Sequence, residues 1–471
     1  MHGSAETEQI NGRLVALIVC VATIGGFMFG YDSGVINGTQ NGLESAFALG
    51  RLGVGVNVGA ILFGSAIGAF VAGRMADKIG RRNVMIVSAV LFLFSAGLAG
   101  AAGSSAVFII ARIIGGLGVG AASVVSPIYI AEIVPAHVRG RLLSVQQVMI
   151  IAGLTGAFIA NYLIARNAGG STADWWFGVA AWRWMFWLQG IPAALYLILL
   201  QIIPESPRYL VIRGREAEAA AIFSRLSNGA DATDKVAEIR ESLAADHHRP
   251  KLSDLLEPGS RRIRPIVWTA VGLAAFQQLV GINIIFYYGA TLWQAVGFSE
   301  GDALLTNVIS GVLSIGSCLL TIALVDRIGR KPLMLVGSVG MFVTLATVAY
   351  AFSTADAGPN GGLILTGNFG ILSLVAANLY VCFFNMSWGP VLWVLLGEIF
   401  PNQIRGSGLA VAGFTQWTVN ALVCVSFPSL VQSPGLVVTY LAYATAAALS
   451  FFFVRSRIRE TRGIELEDMQ A

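Results

Sequence analysis

The sequence predicts an all-α integral membrane protein with twelve spanning helices, arranged as two pseudo-symmetric six-helix bundles joined by a small helical domain. Three observations carry that expectation. Of 471 residues, 56% are hydrophobic and only 12% charged, whereas soluble domains carry about 25% charge. Twelve apolar stretches each approach the roughly 20 residues that a helix needs to cross a ~30 Å hydrocarbon core. Two charged patterns recur, once in each half, in equivalent loops.

The apolar stretches run, in order, over 14–36, 52–73, 83–102, 105–130, 142–165 and 182–203, then 264–293, 303–325, 332–352, 363–396, 406–431 and 435–454. The expected organisation is therefore a first bundle over 1–203, a linker domain over 204–263, a second bundle over 264–455 and a tail over 456–471. Ahead of the first stretch, the opening residues are polar and acidic (Glu6, Glu8), without the basic region of a leader peptide. Asp32 inside that stretch also suits a retained span. Within the linker, EAEAAAIFSRL and DKVAEIRESL have the periodicity of short amphipathic helices. A Gly-rich loop separates the ninth and tenth stretches.

The net charge of +4 is topological rather than a nucleic-acid signal. Arg51, Arg166 and Arg183 fall on one side and Arg112 inside the membrane; the remaining Lys and Arg crowd alternate loops and the termini. Such a bias marks the cytoplasmic side. It puts both termini in the cytoplasm, requires an even number of spans, and fits a protein of the cytoplasmic membrane.

The repeated patterns are GRMADKIGRR at 73–82 with ALVDRIGRKP at 323–332, and AEIVPAHVRGR at 131–141 with GEIFPNQIRGS at 397–407. Asp77 and Asp326 stand 249 residues apart, Glu132 and Glu398 266. Parallel duplication of a six-helix unit about an axis along the membrane normal is the architecture of alternating-access transporters.

Two full charges lie deep in apolar stretches, Asp32 and Arg112. A charge at such depth costs at least ~2.5–3.5 kcal/mol and is usually paired or functional. Asp32 lies seven residues before Thr39, and Arg112 eight after Ser104. At 1.5 Å per residue these depths are ~10 and ~12 Å, so the charges are level. A structural salt bridge is one reading. A proton site is the other: a carboxylate parted from its cation in a low-dielectric site takes up a proton.

Uncharged polar groups form a second set: Gln147, Gln277, Gln278, Asn283, Gln416 and Asn420. A buried amide is costly unless satisfied, and it both donates and accepts, as a sugar hydroxyl does. Trp388 and Gln416 fall near the midplane, with Trp417 beside Gln416; tryptophan faces there suit stacking on a sugar ring. Interhelical amide bonding is the alternative. Gly281 before Asn283, and Gly389–Pro390 beside Trp388, are expected helix breaks lining a cavity.

With FGYDSGVINGT at 29–39, RIIGGLGVG at 112–120, PESPRYL at 204–210, QQLVGIN at 277–283, SWGPVLWVLLGEIFPNQIRG at 387–406 and QWTVN at 416–420, the chain resembles the sugar porter family of the major facilitator superfamily over essentially its full length. It most resembles the bacterial sugar–proton symporters of the xylose and glucose type. The resemblance implies that Asp32 accepts the proton with Arg112 as its partner; animal facilitators of the family carry Asn at that position. It implies sugar binding by Gln147, Gln277, Gln278, Asn283, Trp388, Gln416 and Trp417, with Phe29 and Tyr287 lining the site. It also supports ion pairs among Asp77, Arg81, Glu132, Arg139, Glu205, Asp326, Arg330, Glu398 and Arg405 across the inner ends of the bundles, latching the outward-facing state. Two departures stand out. Ser314 replaces an Asn that contacts sugar in many relatives, and Gln189 replaces a Glu associated with coupling.

The expected partners are a hexose or pentose, protons and the bilayer. A non-transporting sensor would need a signalling domain, and only about sixteen residues follow the last stretch. The cysteines (Cys20, Cys318, Cys382, Cys424) lie in apolar stretches without metal spacing, and the histidines converge on nothing. With no nucleophile–base pair or phosphate loop, neither an enzyme nor a cofactor is expected. Proton symport is the expected mechanism, with uncoupled facilitation as the alternative.

Overall fold

A computed structural model describes the chain except residues 1–10, 135, 228–232, 246–251, 258–259, 261, 358–362, 366–367, 402–403 and 463–471, and except the side chains at 136–141, 143, 242–245, 252, 357 and 363. Both extreme ends and the Arg139 side chain thus lie outside the described residues.

The first half consists of α1 (Gly12–Phe47), α2 (Arg51–Ile79), α3 (Arg81–Ala101), α4 (Ser105–Ile133), α5 (Ala136–Ala168), α6 (Ala181–Leu188) and α7 (Gly190–Leu199). Three short helices follow: α8 (Pro207–Ile212), α9 (Glu216–Leu226) and α10 (Thr233–Ala245). The second half consists of α11 (Pro265–Leu279), α12 (Ile282–Ala295), α13 (Glu300–Ile328), α14 (Arg330–Ser353), α15 (Phe369–Met386), α16 (Trp388–Ile399), α17 (Arg405–Leu430) and α18 (Leu436–Arg457). Spans six, seven and ten are each a pair of helices in line: α6–α7, α11–α12 and α15–α16. The short kinked segment Val431–Gly435, extended at Ser433 (φ −153°, ψ 112°), joins spans eleven and twelve.

Packing repeats between the halves with each span shifted by six. Thus α2 packs on α4 as α13 does on α15, and α3 on α4 as α14 does on α15. Likewise α1 packs on α5 as α11 does on α17. The halves meet through α2 on α17 and, in the symmetry-related place, α13 on α5. Backbone approach within the first half is very close. A Cβ at Gly64 would collide with the Ile113 carbonyl oxygen, and one at Gly116 with the Ile61 carbonyl oxygen. Gly68 and Gly120 repeat this one turn further on, a small-xxx-small seam on both α2 and α4.

Four boundaries depart from the sequence expectation. Span one continues to Phe47, because Asn37, Gln40 and Asn41 satisfy their amides against α12. Span six breaks after Leu188 and span ten after Met386. Each break stands four residues before a proline, Pro192 and Pro390, whose ring clashes with the carbonyl at i−4. Gly389–Pro390 therefore lies inside the first turn of α16, and the break itself is at Ser387 (φ −137°, ψ −86°). Span ten begins at Phe369 rather than 363; Leu363–Ile364 pair antiparallel with Asp356–Ala357 in the preceding loop.

Candidate functional site

The centre of the first half is an ion pair with no exposed surface. Arg112 Nη1 donates to Asp32 Oδ1 at 2.7 Å, and Nη2 to the Asp32 carbonyl oxygen at 3.2 Å. Both side chains are wholly buried. Gln189, at the break in span six, donates Nε2–H to the same Asp32 Oδ1 at 2.8 Å. The Phe186 ring lies 5.6 Å from the guanidinium carbon. Among the described residues Asp32 Oδ2 has no hydrogen-bond partner, so the carboxylate keeps one acceptor uncommitted there. Gln189 stands at that break with helical backbone angles (φ −58°, ψ −26°). With a neutral amide as its third member, the cluster pairs one acidic with one basic side chain.

In the second half, a chain of amides crosses three spans. Gln277 Oε1 accepts from Gln278 Nε2 at 3.1 Å and from Gln416 Nε2 at 2.9 Å. Asn283 Nδ2 in turn donates to Gln278 Oε1 at 2.6 Å. Gln277 Nε2 donates to the Trp388 carbonyl at 3.0 Å. The break in span seven positions these groups. Gly281 takes φ +82°, a left-handed turn that glycine makes without penalty. Tyr380 Oη donates to the freed Val280 carbonyl at 2.8 Å. Trp417 packs on Phe29 across the two halves, ring centres 5.5 Å apart. Tyr287 is buried beside Ser33 and Asn420. Gln147 is half-buried on α5.

Trp388 is corrected by the structure. Its side chain is wholly buried inside the second half, and Nε1 donates to Ser338 Oγ at 3.0 Å and to the Met334 carbonyl at 3.2 Å. No ring face is free for a ligand. Trp393, five residues on, is 41% exposed. A displacement of five residues turns a helix through about 500°, so the two tryptophans project in different directions. Sequence reasoning passed over Trp393, although the second Trp of SWGPVLW was a visible signal. Ser314 is buried and accepts from Asn385 Nδ2 at 3.2 Å, so an amide stands beside that position after all.

At the Lys- and Arg-rich end, the charged repeats close within each half rather than across the halves. Arg81 pairs with Asp77 at 3.2 Å and donates to Glu132 at 3.1 Å; Arg330 pairs with Asp326 at 2.9 Å and Glu398 at 2.8 Å. Among the described residues no ion pair joins the two halves there. Arg405 donates to the Phe400 carbonyl at 3.2 Å, so its expected carboxylate partner is replaced by main chain. Glu205 accepts from the Arg81 and Arg82 amides, both at 3.0 Å, capping α3. Glu460 does the same for the Arg330 and Lys331 amides, both at 3.0 Å, capping α14. Gly80 (φ +99°) and Gly329 (φ +100°) precede the two capped helices. Glu460 was missed, having fallen in the expected tail, yet Glu205–Ser206 and Glu460–Thr461 form a third repeat in the sequence. Thr461 Oγ1 donates to Glu398 Oε2 at 2.6 Å, as Ser206 donates to Glu132. A side-chain cap is worth ~0.5–2 kcal/mol. Glu205→Ala and Glu460→Ala are therefore expected to lower the thermal midpoint in detergent by similar amounts. A shift at Glu205 alone would mean that the second cap contributes nothing.

The charge-poor end is where polar bonds do join the halves. Asn37 Nδ2 donates to the Phe286 carbonyl at 2.8 Å, and Asn37 Oδ1 accepts from the Ala290 amide at 2.9 Å and from Asn307 Nδ2 at 2.8 Å. Gln40 donates to the Tyr287 carbonyl, and Asn41 Nδ2 to Gln294 Oε1 at 2.9 Å. Ser171 N donates to Glu300 Oε1 at 3.1 Å. Among the described residues, this conformation is thus fastened at the charge-poor end and has no ion pair between the halves at the other.

Comparison with known proteins gives the family and the fold. Residues 18–471 match the family described as "Sugar (and other) transporter". A glucose transport protein of Synechocystis is 49% identical over the whole of both chains. The D-xylose-proton symporter of Escherichia coli is 38% identical, over 98% of this chain and 96% of the relative. Among solved structures, the partially occluded inward-open conformation of the E. coli xylose transporter XylE superposes with a TM-score of 0.82 at 36% identity, over 96% of this chain and 100% of the other. The same major facilitator superfamily symporter bound to 6-bromo-6-deoxy-D-glucose gives 0.79 at 37% identity, over 98% and 99%. The chain is a multi-pass membrane protein and belongs to the sugar transporter family of the major facilitator superfamily.

Proposed function

We propose that this chain moves a monosaccharide, a hexose or pentose, together with a proton across the cytoplasmic membrane by alternating access, with its basic end in the cytoplasm. The observation that carries the reading is that one helix holds both a buried ion pair and an aromatic contact to the other half. On α1, Asp32 binds the buried Arg112, and Phe29, three residues away and on the same face, packs on Trp417.

Sugar hydroxyls would exchange with the partners that the amides of Gln277, Gln278, Asn283 and Gln416 hold in one another. Gln147 would reach the sugar from the first half, and Trp417, Phe29 and Tyr287 would wall the site. Trp393 takes the place first given to Trp388. Closing the halves on a sugar moves Trp417 and hence Phe29, so α1 shifts at Asp32. A proton on Asp32 would replace Arg112 as its compensation. Of the two carboxylate oxygens, Oδ2 has no bond to lose. At the basic end, Arg81–Glu132 and Arg330–Glu398 hold each half rigid, while Arg139 and Arg405 are candidates for bridging the halves when that end closes. The serine and threonine beside Glu205 and Glu460 tie the linker and the last segment to the same clusters.

Uncoupled facilitation is the rival. Gln189 favours it, because the Asp32–Arg112 cluster is already neutral and needs no proton. Lightly buffered proteoliposomes decide between them. Adding xylose or glucose outside is expected to raise the external pH as sugar enters. Sugar entry with a flat pH trace would make the protein a facilitator and reduce the pair to a structural tie.

A further inference from the structure

Between spans five and six the charge-poor end carries an exposed feature that lies outside the site described above. Residues 174–180 fold back as a tight hairpin: Asp174 bridges Ala180, Trp175 N donates to the Val179 carbonyl at 3.0 Å, and Ala181 N to the Ala173 carbonyl at 2.9 Å. Its tip is aromatic and exposed. Trp176 is 59% and Phe177 91% accessible. Phe177 has φ +59°, a conformation that residues with a side chain rarely adopt. Hydrophobic burial within the protein does not account for this tip; the chain holds it outward.

The tip is supported from beneath. Trp175 and Trp176 stack with ring centres 4.4 Å apart, and Trp184 meets both edge-on at 6.0 and 5.8 Å. Trp184 packs in turn on Trp187 at 5.1 Å, and Trp187 Nε1 donates to the Gly97 carbonyl at 3.2 Å. Trp184 and Trp187 begin a row at helical spacing that continues through Ile191, Leu195, Ile198 and Ile202, the last four each at least 50% accessible. In a membrane protein such a row is the face turned to lipid. The aromatic cluster therefore caps a lipid-facing stripe at its charge-poor end, at the level where tryptophan settles in the headgroup boundary.

We propose that the 174–180 hairpin is an interfacial anchor: Trp176 and Phe177 insert into the boundary between headgroups and acyl chains of the leaflet at the charge-poor end. The partner is a lipid surface, and no particular headgroup is required, since the inserted residues Trp176 and Phe177 carry no charge; the exposed Asp174 stands at the base of the hairpin. Because the segment leading into the hairpin also bonds Glu300 of the other half through Ser171, the anchor lies beside the joint that fastens this end.

The test places a nitroxide at the tip. Cys20 and Cys382, the two cysteines not fully buried, are replaced by alanine, and Phe177→Cys is labelled in the reconstituted full chain. Glu44→Cys, exposed at the same end, is labelled as the control. Collision with oxygen is expected to exceed collision with an aqueous nickel chelate several-fold at 177, with the opposite order at 44. Aqueous order at both positions would overturn the proposal. So would immobilisation of the 177 label by added glucose or xylose, which would make the rings a sugar platform. Dipolar broadening between 177 labels at low protein-to-lipid ratio would instead make them a contact between copies and would equally overturn it. A separately prepared Trp176→Cys label must show the same lipid order as 177. Neither label touches the amide chain, so these outcomes are independent of whether transport is proton-coupled.

Discussion

Asp32→Asn is expected to abolish sugar accumulation driven by a pH gradient while leaving sugar counterflow in place. The asparagine keeps an oxygen to accept from Arg112 Nη1 and Gln189 Nε2, the bonds now made at 2.7 and 2.8 Å, so the loss of the counter-charge to buried Arg112 is expected to lower the thermal midpoint without unfolding the chain, but it cannot bind and release a proton. One pH unit is worth about 1.4 kcal/mol, so a one-proton symporter can concentrate sugar up to about tenfold per unit; the variant is expected to stop at equal concentrations. Counterflow, which needs only a working site and moving bundles, is the control for folding. Accumulation surviving in Asp32→Asn would remove Asp32 from the coupling step. The partner supplies a second arm. Arg112→Leu leaves a carboxylate buried without its cation, a loss that costs about 3–5 kcal/mol when a buried pair is broken on one side. That variant is expected to be poorly folded, and Asp32→Asn/Arg112→Leu to recover most of the lost stability, because the double change leaves no unpaired charge. Failure of the double variant to recover would mean that Arg112 is held by more than Asp32.

Gln277→Ala is expected to weaken sugar binding by about 10–100-fold, the equivalent of roughly 1.4–2.7 kcal/mol. Gln277 is the node of the amide chain: its oxygen accepts from two amides and its nitrogen reaches the Trp388 carbonyl. A neutral hydrogen bond is worth about 0.5–1.5 kcal/mol, and a buried group left unpaired costs about 1–3 kcal/mol. Removing the node both deletes a contact to sugar and unseats Gln278 and Gln416. Equilibrium binding of xylose or glucose, measured by tryptophan fluorescence or calorimetry, reads the change. An unchanged dissociation constant would place the sugar elsewhere. The same titration on Trp388→Phe separates positioning from contact, since its indole donates within the second half and only the backbone carbonyl meets Gln277.

Much of this arrangement is legible in the linear sequence, for reasons that are local. Span positions follow from the cost of placing polar backbone and side chains in hydrocarbon. The twofold organisation follows from repeated patterns whose residues later occupy matching places, as Arg81 and Arg330 do. The Asp32–Arg112 pairing was reachable by counting depth along two helices, because a rigid rise per residue converts sequence into height. Glu460 was equally within reach, since Glu-Ser and Glu-Thr repeat at the expected offset, and was lost only to its place near the chain end.

What only the tertiary structure decided concerns direction around a helix and contact between segments far apart in sequence. Composition places both Trp388 and Trp393 in span ten, but which one is buried depends on a break at Ser387 that resets the helix phase. Gln189 reads as a missing acid until the packing of span six on α1 brings its amide onto Asp32. Asn37 and Gln40 look like the polar end of a span until α12 comes against them and lengthens it. In each case the deciding quantity is the satisfaction of a buried polar group by a partner dozens to hundreds of residues distant, and such a pairing is settled only when the helices pack.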